Sequence, residues 1–464
     1  MTSATISENA PTPRPTPTAP RSYRFPTFER RTLPNGMRLV VASVSKLPLV
    51  SITAVVDAGA STEREGQDGV AALTAQLLVE GAGGLDGAAL TDRFERIGTS
   101  VDAHADWDAT TISLTVLAER LHEALSLVRD LLCTPEFPQR EVARLKEERL
   151  AELLQLRAEP GALADEQFMR AVYAPSARYA APAGGSAPSV RALTRDLVRT
   201  FYSERYQPAT TTLVFAGDVT VDHALALATK LFSDWRGEIV SSVPRAVDAS
   251  PNARLVRVVA KADAPQSEVR VGHPGLPRRH EDYFGVTVMN AVLGGLFSSR
   301  INLNLREVHG YTYGAFSAFE WRRGAGPFVI QTAVKTDVTG AAVREILHEI
   351  DRMRSAEITM EELTLATSYL DGVFPIRYET TTAIATALSN LVIHDLPERF
   401  YDEYRMRVRN VTTGDVLRAA QRHLHPDELR IVVVGDPGVI ATPLAELQGA
   451  PVEIVTPDGA EVAA

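Results

Sequence analysis

The sequence predicts an α+β protein made of two duplicated domains, each a mostly antiparallel sheet with helices packed on one face. Two observations carry this prediction. Matched features recur in the two halves of the chain: the pairs Gly217-Asp218 and Gly435-Asp436 close two β-rich runs and lie 218 residues apart. Strand-like alternation also follows helical periodicity in the same order in both halves, a pattern typical of helices laid on an antiparallel sheet.

The elements of the two halves can be paired one by one. Each half is predicted to contain two strands, two helices, a hairpin, three helices and a final strand. Gly98 and Gly310 lie 212 residues apart, and each follows a helical segment and precedes alternating strands. An amphipathic helix follows each hairpin, with the sequences LHEALSLVRDLL and AAVREILHEIDRM. Similar offsets throughout indicate a duplication, and the period is far too long for a solenoid.

Proline and small polar residues mark the borders of these units. Residues 1–27 are rich in proline and are predicted to form a disordered tail. Residues 237–253, which include SSVPRAVDASPNA, are predicted to be a linker, and residues 447–464 a second tail. The two domains are therefore expected to span residues 28–236 and 254–446.

Composition and charge exclude several classes of protein. The 464 residues are 45% hydrophobic and 23% charged, with a net charge of −10, which favours a globular chain and argues against a nucleic-acid partner. Cys133 is the single cysteine, so an intramolecular disulfide and a cysteine-rich metal site are excluded. The first residues lack the apolar core of a secretory signal, and no run of about 18 apolar residues occurs. We therefore expect a cytoplasmic protein without a membrane segment.

Two stretches carry a resemblance to a known family. Residues 30–78, beginning RRTLPNGMRLVV, and residues 272–314, ending GLFSSRINLNLREVHGYTYG, resemble the two domains of the M16 metallopeptidase family. The resemblance extends over about residues 28–446. It implies a fold like that of mitochondrial processing peptidase, in agreement with the duplicated α+β units.

The resemblance also shows where a zinc site would be. Active members carry His-x-x-Glu-His on a helix, with two zinc-binding histidines, a glutamate that activates water, and a further glutamate about 75 residues later. Gly69 sets the frame here, and the motif positions fall on Ala72, Ala75 and Gln76, while the later carboxylate is retained as Glu152. One carboxylate does not hold zinc, so the motif is degenerate and no metal is expected in this chain. A solvated helix position remains the simple interpretation of Glu152.

The histidines of the chain offer no substitute for the lost motif. His122, His280 and His348 each precede a glutamate, but no ligand follows four residues later. His423 and His425 lie two residues apart, a spacing that points side chains away from each other on a helix. We expect surface or helix-end positions for these residues.

The segment LFSSRINLNLREVHGYTYGAFS concentrates polar and aromatic residues in an otherwise bland sequence. Arg306 is predicted to lie on a helix that Gly310 ends, and Tyr313 to open the next strand. Guanidinium and phenol donors could together hold and polarise a peptide carbonyl. A structural role, with the arginine at a helix terminus and the tyrosine in a strand, explains the spacing as well. The resemblance implies the substrate-binding role for Arg306 and Tyr313, with Tyr311 as the second choice for the tyrosine.

The resemblance thus implies a non-catalytic, substrate-binding subunit of a heterodimeric zinc metallopeptidase. The partner would be a homologous subunit with His-x-x-Glu-His and the zinc, and the substrate an unfolded peptide. Two other functions stay open: a structural subunit like the peptidase-related core subunits of respiratory complexes, and a peptide-binding protein without a peptidase role.

Overall fold

The structure is a computed structural model that describes residues 22–237, 249, 253–447 and 452–461. Most of the predicted N-terminal tail and linker, and part of the C-terminal tail, lie outside the described residues. The exact domain borders therefore stay predictions.

The first half of the chain forms one six-stranded sheet, a small two-stranded ribbon and a set of helices. Its strands are β1 (Glu29–Thr32), β2 (Arg38–Ser43), β3 (Leu49–Val56), β4 (Gly81–Ala82), β5 (Leu85–Asp86), β6 (Asp102–Ala105), β7 (Thr110–Leu117) and β8 (Thr211–Gly217). Its helices are α1 (Val70–Leu77), α2 (Gly87–Arg96), α3 (Leu121–Cys133), α4 (Gln139–Leu156), α5 (Pro160–Val172), α6 (Ala187–Ala192), α7 (Arg195–Arg205) and α8 (Val221–Phe232).

The second half forms another six-stranded sheet with its own helices. Its strands are β9 (Leu255–Ala260), β10 (Gln266–Pro274), β11 (Ala315–Phe319), β12 (Pro327–Lys335), β13 (Arg430–Gly435) and β14 (Val452–Val455). Its helices are α9 (Tyr283–Asn290), α10 (Arg300–Asn302), α11 (Thr339–Ser355), α12 (Met360–Arg377), α13 (Thr381–Ile393), α14 (Phe400–Arg409), α15 (Thr413–His423) and α16 (Pro437–Ala445). The turns Ala291–Gly295 and Leu303–Val308 are π-helical, and the second of them carries Arg306, for which the sequence predicted a helix of unspecified type.

The two large sheets have the same strand order, which confirms the predicted duplicated α+β fold. The first runs β2-β8-β3-β7-β6 and the second β9-β13-β10-β12-β11. In each, only the first of these pairs is parallel. One extra edge strand completes each sheet, β1 antiparallel to β2 and β14 parallel to β9.

Each sheet is covered on both faces, which the sequence did not predict. Alternate strand residues such as Leu39 and Val41 pack against helices of the same domain. Their neighbours Val40 and Ala42 join the core of the other half, where α13 lies across β3 and β8. In return α5 lies across β10 and β13 of the second sheet. This exchange of helices explains why the central strands are apolar almost throughout.

The two glycine turns that the sequence paired have the same backbone form. Gly98 follows α2 with a φ of 77°, and Gly310 follows the π-helical turn Leu303–Val308 with a φ of 65°. Positive φ favours glycine because it has no Cβ. Each turn reverses the chain into an edge strand of its sheet, β6 or β11.

One helical stretch within the described residues, Tyr283–Val308, is long and apolar enough to cross a membrane by length and composition alone. Its most apolar window is 56% buried inside the protein. Buried core helices meet the same two criteria, so this is weak evidence for a membrane segment.

Candidate functional site

Helix α1, which carries the degenerate zinc motif, is held in place by a buried ion pair. Glu63 accepts hydrogen bonds from the backbone N–H groups of Gly69 (3.0 Å) and Ala71 (2.9 Å) at the start of the helix. Its other oxygen accepts from Nε of Arg178 at 2.7 Å, and both side chains are fully buried. Burial raises the pKa of Glu63 to about 7, although the Arg178 charge and these hydrogen bonds oppose the shift. The pair therefore fixes the position of the motif helix.

The degenerate motif and the later carboxylate come together in space. Ala72, Gln76 and Glu152 line one cavity of about 180 Å³ between α1 and α4. Ala75, at the position of the water-activating glutamate, is fully buried and is not part of this lining. Three of the positions that the resemblance assigns to a zinc site thus lie around one cavity, and only Glu152 carries a metal-ligating side chain.

Two positively charged side chains, Arg149 and Lys146, line this cavity together with Glu152. Nη1 of Arg149 lies 3.0 Å from Oε2 of Glu152, and Nε of Arg149 donates to the carbonyl of Gly184 at 3.3 Å. Lys146 also lines the cavity and donates to the carbonyl of Arg191 at 3.0 Å. A protein zinc site needs at least three nitrogen, sulfur or carboxylate ligands, and among the residues that line this cavity only Glu152 offers one. The residues present do not fit a zinc ion.

Arg306 lies on the π-helical turn at the surface of the second domain. Its guanidinium carbon stands 4.6 Å from the ring centre of Phe297, and Nε lies 3.4 Å from a carboxylate oxygen of Glu307. The side chain is 36% exposed. Exposed contacts of this kind contribute little energy, so the guanidinium can change partner at small cost.

Tyr313, the first choice of the sequence analysis, and Tyr311, the second, have different surroundings. Tyr311 is half-buried and stacks on His309 with ring centres 4.9 Å apart. Tyr313 is 92% exposed and precedes β11, which begins at Ala315 and not at the tyrosine. Within the described residues, neither a hydrogen bond nor a ring contact joins Tyr313 to Arg306. Both side chains are accessible at the surface, Arg306 partly and Tyr313 almost fully.

Exposed apolar side chains lie in the same segments as Arg306 and Tyr313. Phe297, Val308 and Phe316 are 69%, 74% and 51% exposed. Phe316 belongs to β11, which among the described residues pairs with β12 alone and forms an edge of the second sheet. Unpaired strand edges and exposed apolar groups are the features by which one chain recognises another.

A histidine cluster was missed by the sequence reasoning, which searched for ligands four residues apart. His280, Asp282 and His423 place one ligand atom each within 4.8 Å of one another. His423 ends α15, as expected, but is buried, and its Nε2 lies 2.7 Å from Oδ2 of Asp282. Arg422 reaches the same carboxylate oxygen at 3.1 Å. The cluster ties the end of α15 to the start of α9.

Known protein families and relatives match both halves of the chain. The family profile described as Insulinase (Peptidase family M16) matches residues 39–180, and the profile described as Peptidase M16 inactive domain matches residues 192–370. An uncharacterized zinc protease of Streptomyces coelicolor is 25% identical over 420 residues, covering 88% of this chain and 90% of that protein. A probable mitochondrial-processing peptidase subunit beta of Arabidopsis thaliana is 23% identical over 430 residues, covering 87% of this chain and 77% of that protein.

Solved structures show the same fold. The structure titled peptidase M16 inactive domain from Pseudomonas fluorescens has a TM-score of 0.83 at 25% identity, covering 88% of this chain and 98% of that one. A protease from Helicobacter pylori also has a TM-score of 0.83, at 18% identity, and covers 88% of this chain and 100% of its own. Two family profiles in tandem and a matching duplicated fold lead to one conclusion: the chain belongs to the M16 peptidase family.

Proposed function

We propose that this chain is the non-catalytic, substrate-binding subunit of a heterodimeric zinc metallopeptidase, and that it supplies Arg306 and Tyr313 in trans. The observation that carries the proposal is a contrast within the chain. The cavity at the zinc position is lined by Ala72, Gln76 and an ion-paired Glu152, whereas Tyr313 is 92% exposed with its hydroxyl free to reach another molecule.

The proposed chemistry needs only the donors of these two side chains. The guanidinium of Arg306 offers several N–H groups and the phenol of Tyr313 one O–H. Both can donate to the carbonyl oxygen of a bound peptide, where negative charge develops during hydrolysis. Such donors act strongly only where water is excluded. An exposed pair therefore requires a second surface that closes over it.

The proposed partner is a homologous subunit that carries His-x-x-Glu-His and binds the zinc. The apolar side chains of Phe297, Val308 and Phe316 and the open edge of β11 support a protein contact on this side of the second domain. The substrate would be an unfolded peptide that passes between the two subunits, in the cytoplasm. The names of the zinc-protease relatives support the peptidase context.

The proposal is tested by purifying the chain alone and together with a His-x-x-Glu-His homologue encoded in the same genome. We expect no zinc and no peptide cleavage from the chain alone, and zinc-dependent cleavage of unfolded peptides from the pair. Replacing the motif glutamate of the partner should abolish this activity. Chelator-sensitive cleavage by the chain alone, or a stable pair that cleaves no peptide in a broad peptide library, would contradict the proposal in favour of a structural or peptide-binding role.

A further inference from the structure

A cavity of about 450 Å³ lies between the two halves of the chain, and none of its lining residues belongs to the site proposed above. The first half contributes residues at the ends of β6 and β7, including Trp107 and Asp108, and the second contributes Trp321, Arg322 and His394. The exchanged helix α13 forms one wall through Thr386, Ser389 and Asn390. The volume falls within the range of sites that bind small molecules.

One carboxylate oxygen of Asp108 accepts a hydrogen bond, and the other has no partner. It is 5% exposed, and its Oδ2 accepts a hydrogen bond from the backbone N–H of Arg323 at 2.8 Å. Its Oδ1 is buried and has no hydrogen-bond partner. A buried, unpaired carboxylate oxygen is costly, so a binding partner for it would be strongly favoured.

Arg322 is likewise buried, with one nitrogen of its guanidinium in an ion pair and another without a partner. It is 5% exposed, and its guanidinium stacks against the rings of Trp107 (4.2 Å) and Tyr179 (4.6 Å). Nη2 donates to Oε2 of Glu320 at 2.7 Å, whereas Nη1 is buried and without a partner. The ring contacts and the ion pair fix the position of the guanidinium group, and the N–H groups of Nη1 remain available as donors.

His394 adds a third unpaired atom to the same cavity. Its Nδ1 is buried and has no hydrogen-bond partner. Burial lowers the pKa of His394 to about 4, so the imidazole is neutral at pH 7. Since Glu320 already pairs with Arg322, the carboxylates of Asp106 and Asp108 leave the cavity with an excess of negative charge.

We propose that this cavity binds the α-ammonium group and the adjacent carbonyl or carboxylate of an amino acid or of a peptide amino terminus. The ammonium would donate to Oδ1 of Asp108, and the carbonyl or carboxylate oxygen would accept from Nη1 of Arg322. Trp107, Trp321 and the hydroxyl groups of α13 would surround the side chain. The proposal uses neither Arg306 nor Tyr313 and does not depend on a partner subunit.

The test is isothermal titration calorimetry of the full chain with three sets of probes: the common free amino acids, the corresponding X-Gly dipeptides, and N-acetylated forms of both. We expect saturable binding of at least one free-amino probe, and loss of that binding on acetylation. Binding of free amino acids would identify the ligand as an amino acid, and binding of dipeptides alone as a peptide terminus. Absence of binding by every probe, as for a cavity that holds only water, or equal binding of acetylated probes would overturn the proposal.

Variants locate the binding in the cavity. Asp108→Asn should weaken it by about tenfold or more, the change expected when a hydrogen bond between charged groups is lost. Arg322→Gln should have an effect of the same order, whereas Asp222→Asn, an exposed position on α8, should have none. Thermal unfolding of each variant shows whether it is folded. If a variant does not fold, the comparison of free and acetylated probes in the unmodified protein still tests the proposal. Unchanged affinity in a folded Asp108→Asn protein would contradict the assignment.

Discussion

In the first domain, α1 and α4 enclose a cavity in which Arg149 pairs with Glu152 and Lys146 donates to backbone carbonyls, whereas in the second domain Arg306 and Tyr313 lie at the surface. The contrast is notable because the two sheets have the same strand order. The cavity of the first domain lies where the family resemblance puts a zinc site, and Glu152 is the one metal-ligating side chain among its lining residues. On the second domain, Arg306 contacts Phe297 and Glu307 at the surface, and Tyr313 is 92% exposed. The same fold therefore encloses charged side chains in one domain and exposes hydrogen-bond donors in the other.

The largest effect is expected from restoring ligands to the first-domain cavity. Ala72→His and Gln76→His place two imidazoles four residues apart on α1, and Arg149→Ala releases Glu152 as a third ligand. We expect the triple variant to bind about one zinc per chain, measured by metal analysis after dialysis, and the unmodified chain to bind none.

Two control variants sharpen this prediction. The double variant that retains Arg149 should bind zinc more weakly, on the order of 10–100-fold, because the arginine competes for Glu152. Adding Glu152→Gln to the triple variant should weaken binding again. Stoichiometric zinc in the unmodified chain, or none in the triple variant, would show that the cavity is not a former metal site.

The next effect concerns the buried ion pair that anchors α1. Arg178→Met leaves the Glu63 carboxyl buried without its cation, and it removes hydrogen bonds to the carbonyls of Ala181 and Ala183. We expect a loss of about 3–5 kcal/mol in the free energy of unfolding, measured by urea denaturation. The matched control Arg64→Met breaks an exposed pair with Glu204 and should cost less than about 1 kcal/mol. Equal losses in the two variants would mean that the pair does not hold α1.

The second domain contains a buried histidine, His273, that is neutral, in contrast to the buried Glu63–Arg178 ion pair of the first domain. His273 is fully buried on β10, its Nε2 accepts from the N–H of His425 at 3.2 Å, and burial lowers its pKa to about 3. Below pH 6.5 the unfolded chain binds a proton that the folded chain does not, so stability is lost as the pH falls towards 3. This residue should account for about 2 kcal/mol of the loss between pH 6.5 and pH 5.

Urea denaturation across this pH range tests the point. His273→Gln, which keeps a polar side chain but does not titrate, should make the pH dependence shallower by that amount. His122→Gln, at an exposed position on α3, should leave it unchanged. The same slope in the protein with and without His273 would contradict the assignment.

Features set by local sequence were predictable. The duplication and the glycine turns at Gly98 and Gly310 follow from spacing and residue type, whereas the degenerate motif at Ala72, Ala75 and Gln76 was identified only through the family resemblance. The π-helical turn that carries Arg306 was not predicted, because a segment of six residues is too short to show its own period in the sequence. The greater exposure of Tyr313 relative to Tyr311 is a property of the folded chain that the sequence does not reveal.

Features set by long-range packing could not be predicted. The apolar face of α13 indicates burial but not that it lies on the sheet of the other half. Asp108, Arg322 and His394 come from distant segments, which meet through the contacts of Asp108 and Trp107 with Arg323 and Arg322 and through the end of α13. The pairing of Asp282 with His423 likewise joins two elements that no local period connects.

The central claim is that the open surface of the second domain completes the active site of another subunit. The most direct measurement is the turnover of the reconstituted pair with variants of this chain. Arg306→Ala should leave folding and association intact and lower turnover by about 10²–10³-fold, the effect of removing one oxyanion donor. Tyr313→Phe should cost less, and Tyr311→Phe, which keeps the stacking on His309, should change little. Turnover of the Arg306→Ala pair equal to that of the unmodified pair would contradict the account and leave these residues a structural role.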